Sequence, residues 1–463
     1  MSRVAAVDIG ATSGRVLVFS SDERPLTGTE VHRFSNHPVE VDGRWTWDIE
    51  ALWRHVVDGL ARACETGPID SWGVDTWAVD YGVVAEDGCL LGPVYAYRDP
   101  QHSQGISMAD ARLPWEEQYA IAGIQRLPFN TVNQLLAESH PSRLAHADVM
   151  LVPDILMFRA TGTRATELTN ASSTALVDAR SREFSQPLLH ALGLDSVRFP
   201  PLVRTGSVRG QTSVAGLPAL PVVTVATHDT ASAFVAVPMQ DVEQAAVLSL
   251  GTWALLGTEL SVPILDEAAR RANFTNEIGV DDTVRFLKNI TGMWLFEECR
   301  REWSEAEGRE VTVVELLDLA QAAGPSTGRI NPDDPRWARP GFGAAQLAAS
   351  ASERLPSTRG ALVRCILDSI AQRVAEEMLA LQSITGRAFQ VLHVVGGGSR
   401  IDLMMQLLAD ASGVAVVAGP VEATALGNAG VQFIANGDFA DLASFRRWLS
   451  EVVEVKRFQP RVR

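Results

Sequence analysis

The string VAAVDIGATSGRVLVF, residues 4–19, ends a run of strand-forming residues on Asp8 and then turns through Gly10, Ala11, Thr12, Ser13 and Gly14 to Arg15. A hairpin turn by itself needs a single glycine or asparagine. Two glycines, two hydroxyls and an acidic residue exceed that need. A turn of this kind gathers several backbone N–H groups into one concave surface and binds a phosphate without any formal positive charge. A carboxylate at the strand end can hold Mg²⁺ directly or through water. Taken alone, the string also suits an ordinary hairpin whose aspartate caps the turn.

Other strings offer related chemistry. In THDTASA, Thr227, His228, Asp229 and Thr230 form a polar break between a buried-looking strand and an apolar helix. Asp229 there is either a helix N-cap or a rigidly held general base for a sugar hydroxyl. GVDTWAVDY sets Asp75 and Asp80 around Trp77, which looks exposed. An aromatic face flanked by carboxylates suits a sugar, and a strand with polar residues on its solvent side gives the same pattern. SLGTWALLG repeats the opening device of strand, Gly-Thr turn and strand, with Thr252 in the turn. VVGGGSR runs a strand into Gly396, Gly397 and Gly398, which either admit a flat ligand such as adenine or make a tight strand-to-helix turn. NITGMWLFEECRREW reads mostly as a core-facing helix, in which Asn289 and Glu297 are the polar residues of interest.

These residues need elements to place them. Residues 3–8 and 14–19 read as two strands of a hairpin, and SWGVDTWAVDYGVVAE as further strands. Residues 49–65 should form a helix capped by Asp48. LPFNTVNQLLAES and PDILMFRATGT should be short helices, and VRFPPLVRTG a surface loop. At 463 residues the chain exceeds the size at which one core keeps growing, so two domains are expected. The natural cut follows the THDTASA helix, giving a first domain over 1–238 with the sugar and the base, and a second over 239–463 on the nucleotide side.

Composition narrows the class further. Hydrophobic residues make up 46% and charged residues 21%, with no stretch long enough for a membrane helix. The formal charge of −16 argues against nucleic-acid and membrane partners. The N-terminus enters a strand almost at once, so the expected location is the cytoplasm. Cys64, Cys89, Cys299 and Cys365 lie far apart and suit reduced packing residues rather than a zinc site. The lysines, Lys288 and Lys456, stand outside any glycine loop, which excludes a Walker-type P-loop.

In order along nearly the whole chain, DIGATSGR, GVDTWAVDYGV, YAYRD, FNTVNQL, LVPDILMFRATG, TNASSTALVD, THDTASA, SLGTWALLG, LKNITGMWLFEECRREW, INPDDPRW and VVGGGSR resemble the FGGY carbohydrate kinases. The resemblance implies an α/β, two-domain, actin-like (ribonuclease-H-like) fold with a catalytic cleft between the domains. It implies ATP-dependent phosphorylation of a ketose, with L-rhamnulose expected ahead of fuculose, xylulose or ribulose, and with ATP and Mg²⁺ as cofactors. By motif, Ala11, Thr12, Ser13, Gly14 and Arg15 would meet the ATP phosphates and Asp8 would position Mg²⁺. Asp229 would be the base, with Asp75, Trp77, Ala78, His228, Thr230 and Asn289 at the sugar. Thr252, Glu297 and Gly397 would meet the nucleotide. The chain departs from the family's usual glycine at Ala78 and from a frequent glutamine at Glu297. An actin-like ATPase without sugar kinase activity is the alternative from another class.

Overall fold

The computed structural model describes residues 1–326, 328–334, 336–337, 342–350 and 355–461; Pro335 of INPDDPRW lies outside them. The opening hairpin forms as expected. Strands β1 (Arg3–Ile9) and β2 (Ser13–Ser20) pair antiparallel, with Asp8 opposite Arg15 and Ile9 opposite Gly14. Strand β3 (Thr29–Ser35) adds to β2. Helix α1 (Ile49–Glu65) is capped by Asp48, whose carboxylate accepts the Ala51 amide at 2.8 Å. Its Leu52, Val56, Leu60 and Ala63 recur at helical spacing and are buried. Gly59 lets it lie close on β2, since a Cβ there would sit 2.3 Å from the Val16 side chain.

The first sheet is completed by β4 (Ser71–Thr76), β5 (Val208–Gln211) and β6 (Pro221–Val223), in the order β5-β6-β4-β1-β2-β3. β4 runs parallel to β1 in a register that puts Asp75 opposite Asp8. Helix α2 (Asp229–Val235) follows β6.

The second half repeats this plan. Strands β7 (Ala245–Leu250) and β8 (Trp253–Leu260) form the second hairpin, and β9 (Val284–Thr291) follows. Helix α3 (Trp294–Glu307) leads on to the long α4 (Arg359–Thr385). Then come β10 (Val391–Val395), a short turn of 3₁₀ helix at Gly397–Arg400, α5 (Asp402–Ser412) and β11 (Ala415–Ala418). β10 is parallel to β7, with Val395 opposite Ser249. After helix α6 (Ala423–Ala435), β12 (Lys456–Phe458) closes the sheet antiparallel to β11. The strand order is β9-β8-β7-β10-β11-β12 within a seven-stranded sheet.

The chain divides into two compact units that interleave in sequence. The first takes in Met1–Gln240, Glu259–Phe286 and Ala423–Val453; the second holds Asp241–Thr258, Leu287–Glu422 and the stretch from Glu454. A single cut at 238/239 divides the sequence differently, because α6 and the segment before β9 return to the first unit. That return is built by close packing: a Cβ on Gly427 of α6 would sit 1.7 Å from the Ser232 carbonyl oxygen of α2.

Some local expectations need correction. VRFPPLVRTG is not wholly surface loop, since Leu202–Val203 pairs in parallel with Thr166–Glu167 and Val197 is buried. Pro200 and Pro201 keep their carbonyls, and these accept from the Thr166 hydroxyl at 3.1 Å and amide at 2.9 Å. In NITGMWLFEECRREW, Asn289–Thr291 closes β9 and the helix starts only at Trp294. Cys299 and Cys365 are buried and Cys64 is half-buried, but Cys89 is exposed.

Candidate active site

In the first unit the strand register gathers carboxylates at one end of the sheet. Asp8 is buried and its Oδ2 accepts from Arg15 Nη2 at 2.9 Å and Nε at 3.1 Å. Its register partner Asp75 is fully buried, not on a solvent-facing strand surface. Asp75 Oδ2 accepts from Asn428 Nδ2 of α6 at 2.7 Å, while Oδ1 has no hydrogen-bond partner. Burial pushes the Asp75 carboxyl well above the usual range, Asp8 adds to the shift and Asn428 offsets part of it. Asn428 also donates to the Gly73 carbonyl at 3.2 Å, and Gln432 one turn on donates to the Ala5 carbonyl at 3.0 Å. Two amides on α6 thus fasten the strands that carry Asp8 and Asp75.

The turn after Asp8 is held from its own backbone. Gly10 N–H donates to the Ser13 carbonyl at 2.9 Å, and Asn36 reads both flanks, its amide on Thr12 O at 3.0 Å and its Nδ2 on Gly10 O at 2.8 Å. Gly14 is required by packing, since a Cβ would lie 2.1 Å from the Phe34 ring. Gly10 is not, for a Cβ there would meet nothing closer than 3.4 Å. Ala11 and Ser13 are partly exposed and Thr12 is exposed, so the turn is open to solvent.

Asp229 is the first residue of α2 and does not cap it. Its Oδ1 takes the amide and hydroxyl of the adjacent Thr230, not an amide two or three residues on. The side chain is 34% exposed, so one face of the carboxylate is open. Burial raises its pKa and Asp8 raises it further, against an opposing pull from His228. The position is rigid: Thr76 N–H donates to Thr227 O at 2.9 Å, and buried Glu167 accepts the Thr227 amide at 3.1 Å and hydroxyl at 2.9 Å. His228 is buried, with Nε2 at 3.4 Å from Asp229 Oδ1 and Nδ1 at 3.3 Å from Glu277 Oε2. Glu277 in turn lies 3.0 Å from Nη1 of the fully buried Arg285. Burial pushes the Glu277 carboxyl up, but Arg285 and His228 together bring it below its usual value.

Trp77, expected to be exposed, is 6% exposed. Its Nε1 donates to Asp80 Oδ2 at 2.8 Å, beside Trp47 Nε1 at 2.7 Å and the Tyr97 amide at 3.0 Å, while Gln134 Nε2 reaches Oδ1 at 2.9 Å. Asp80 is therefore the centre of a buried knot. Burial pushes its pKa up to about 7 against these donors. The knot holds a tight turn in which Asp80 N–H donates to Ala78 O at 3.0 Å and Val79 takes φ 71°, a costly value for a β-branched residue. Ala78, half-buried, sits at the mouth of that turn.

The second unit presents the remaining residues. Thr252 lies in the β7–β8 turn, whose Thr252 and Gly251 carbonyls accept the Gly292 amide at 3.1 Å and the Met293 amide at 2.8 Å. Gly292 must be glycine, because a Cβ would sit 2.6 Å from the Gly251 oxygen. SLGTW and NITGMW are thereby locked together, with Asn289 half-buried on β9. Glu297, on α3, is 42% exposed and pairs with Arg300 at 2.8 Å. The three glycines differ: Gly396 has φ 85°, a Cβ on Gly398 would strike Leu250 at 2.5 Å, and a Cβ on Gly397 would meet nothing within 4 Å. Only Gly397 leaves open space that neither conformation nor packing explains.

Sequence reasoning missed Asn36, Glu167, Glu277, Arg285 and Asn428. Each acts through a contact distant in sequence, so no local string marks it.

The geometry therefore defines a carboxylate centre in one hairpin-led sheet and an open glycine-hydroxyl surface in another. The family model for the N-terminal domain of the FGGY family of carbohydrate kinases matches residues 4–236, and the model for its C-terminal domain matches 246–436. The chain belongs to that family. Its curated relatives include the rhamnulokinase of Bacteroides thetaiotaomicron, 42% identical over 98% of this chain and 95% of that one. The rhamnulokinase of Klebsiella pneumoniae strain 342 is 39% identical over 98% and 94%. Among solved structures, a gluconate kinase from Lactobacillus acidophilus superposes with TM-score 0.81 at 16% identity over 99% of this chain and 94% of that one. Plasmodium falciparum glycerol kinase with ADP gives 0.79 at 16% over 99% and 94%. The fold is thus the two-domain, actin-like α/β fold that the motifs implied. Among the described residues no helix is long and apolar enough to cross a membrane.

Proposed function

We propose that the chain transfers the γ-phosphoryl group of ATP to O1 of L-rhamnulose, giving the 1-phosphate and ADP in the cytoplasm, where ATP is abundant. The observation that carries this acceptor is 42% identity to a rhamnulokinase over 98% of the chain. Asp229 accepts the hydroxyl proton as the sugar oxygen bonds to phosphorus and the bond to the ADP oxygen breaks. Its open face and its rigid seat at the start of α2 support that role. The backbone N–H groups and hydroxyls of Ala11–Gly14 take phosphate oxygens, with Arg15 beside them. We assign Thr252, Glu297 and Gly397 to the nucleotide, and Asp75, Trp77, Ala78, His228, Thr230 and Asn289 to the sugar side. We assign the base and most of the sugar contacts to the unit built on residues 1–238, to which 259–286 and 423–453 return, and the adenine side of the nucleotide to the rest of 239–463.

Among the described residues no group of three or more potential ligands could hold a metal ion. Mg²⁺ at kinase sites is held by one or two carboxylates, phosphates and water, and the Asp8 carboxylate, at the strand end next to the Gly10–Gly14 turn, fits that set. When bound there, Mg²⁺ would neutralise charge on the phosphate oxygens.

The test is ADP release with L-rhamnulose, L-fuculose, D-xylulose and L-ribulose, in the parent and in Ala78→Gly. L-Rhamnulose should give the highest kcat/KM. Another ketose ahead by about tenfold, ~1.4 kcal/mol, in both proteins contradicts the acceptor but keeps the kinase. ADP release that no sugar stimulates favours an ATPase without sugar kinase activity.

A further inference from the structure

We propose that Glu277, backed by Arg285, is a positioning residue for the phosphoryl transfer: it holds the His228 ring with Nδ1 toward itself and Nε2 toward Asp229. The proposal rests on Asp229 being the base and assigns a role to residues outside every motif that led to the site.

The placement is specific. The strand Thr275–Ile278 carries Glu277 and is anchored on both sides of it. Asn276 N–H donates to Gly123 O at 2.8 Å and its side chain brackets Ile264, accepting that amide at 2.8 Å and donating to that carbonyl at 2.9 Å. Ile278 N–H donates to Ser172 Oγ at 3.0 Å, and the Phe274 carbonyl accepts from the Tyr119 hydroxyl at 2.8 Å. Glu277 thus has little freedom to turn away from His228.

Arg285 is equally fixed. It is 1% exposed and donates from Nε and Nη2 to Ile278 O, each at 3.3 Å. Its Nη1 lies 3.0 Å from Glu277 Oε2 and its Nη2 lies 3.4 Å from His228 Nδ1. A buried ion pair gives little net stability over an apolar replacement. A pair placed against the imidazole beside Asp229 is therefore a candidate for function. Gripped at Nδ1 by Glu277 Oε2 at 3.3 Å and Arg285 Nη2 at 3.4 Å, the ring is fixed in orientation. With Nδ1 facing Glu277, the Nε2 edge is left to Asp229 and to the sugar hydroxyl that Asp229 serves. Without that hold, the ring rotates and the carboxylate loses its neighbour.

Glu277→Gln keeps the shape and removes the charge. It should lower kcat by at least about tenfold, short of the ~10²–10⁴-fold that losing the general base itself costs, while KM for ATP changes less than about threefold. The ¹⁵N resonances of His228, assigned with His228→Gln, should shift in the sugar-free and nucleotide-free enzyme. That readout does not depend on which residue is the base, so its failure is separable from failure of the Asp229 reading. Unchanged His228 resonances, or kcat within about twofold of the parent, overturn the proposal. Because Glu277→Gln leaves Arg285 without its counter-charge, Glu277→Gln/Arg285→Met is the control for folding. Its melting temperature should return toward the parent while kcat stays low. If kcat recovers with stability, Glu277 is only the counter-ion of Arg285 and the proposal is wrong.

Discussion

The two hairpin-led sheets share a backbone plan and differ at the strand ends. In each, an antiparallel hairpin is followed by a third strand on one side and, on the other, by a parallel strand, a further parallel strand and an antiparallel edge. In the first sheet the matched positions of the parallel pair are Asp8 and Asp75; in the second, Ser249 and Val395. The turns are alike too, Gly10 N–H closing on Ser13 O at 2.9 Å and Gly251 N–H on Trp253 O at 2.8 Å. On the proposed function, one scaffold serves two tasks: a glycine-hydroxyl turn would meet phosphates in each copy, and the strand-end carboxylates would mark the copy that also carries the chemistry.

The strongest way to break this comparison is to remove the distinguishing carboxylate and its counterpart. Asp8→Ala should weaken Mg-ATP binding by at least about tenfold, ~1.4 kcal/mol, and sugar binding much less. Ser249→Ala should leave both near the parent value. Equal losses in calorimetry would mean that the two strand ends do the same work.

Packing in the first unit gives the next test. Gly427→Ala drives a methyl into the Ser232 carbonyl and should cost ~1–3 kcal/mol or more in chemical denaturation. Asp80→Asn turns an amide toward a set of donors and should cost ~1–3 kcal/mol by leaving one of them unpaired. In the second unit, Gly397→Ala should leave the melting temperature unchanged while raising KM for ATP, because its Cβ enters open space. A loss of stability there would make Gly397 an ordinary turn glycine. The smallest effect is expected from Ala78→Gly, a fall in KM for the sugar worth at most ~1–2 kcal/mol, since one methyl that brushes the ligand is a mild overpacking.

Much of the fold was legible from periodicity and turn residues. The opening hairpin, the Asp48-capped helix and the strand-glycine-helix unit at Gly396–Gly398 all stand where local pattern puts them. Solvent exposure was not legible. Trp77 and Asp80 look like surface residues because a strand alternates polar and apolar types, yet long-range donors from Trp47, Tyr97 and Gln134 satisfy the carboxylate and take it inside. The return of α6 was equally hidden, since Asn428 and Gln432 are fastened to β1 and β4 from the far end of the chain. Motif strings single out Asp229, but the Glu277–Arg285 pair behind His228 depends on tertiary placement alone.

The pH profile bears on the same carboxylate. Because burial and Asp8 raise the Asp229 pKa, activity is lost as pH falls through a value above the ordinary carboxylate range. The acid limb of kcat/KM should therefore lie higher than for a solvated aspartate. An acid limb at the ordinary value would place the titrating base elsewhere.

The most direct measurement is kcat for sugar-dependent ADP release in Asp229→Asn, alongside Mg-ATP affinity and melting temperature. The expected result is a loss of at least about 10²-fold in kcat, with affinity and stability close to the parent. Turnover within about threefold of the parent, with folding intact, would show that Asp229 is not the base.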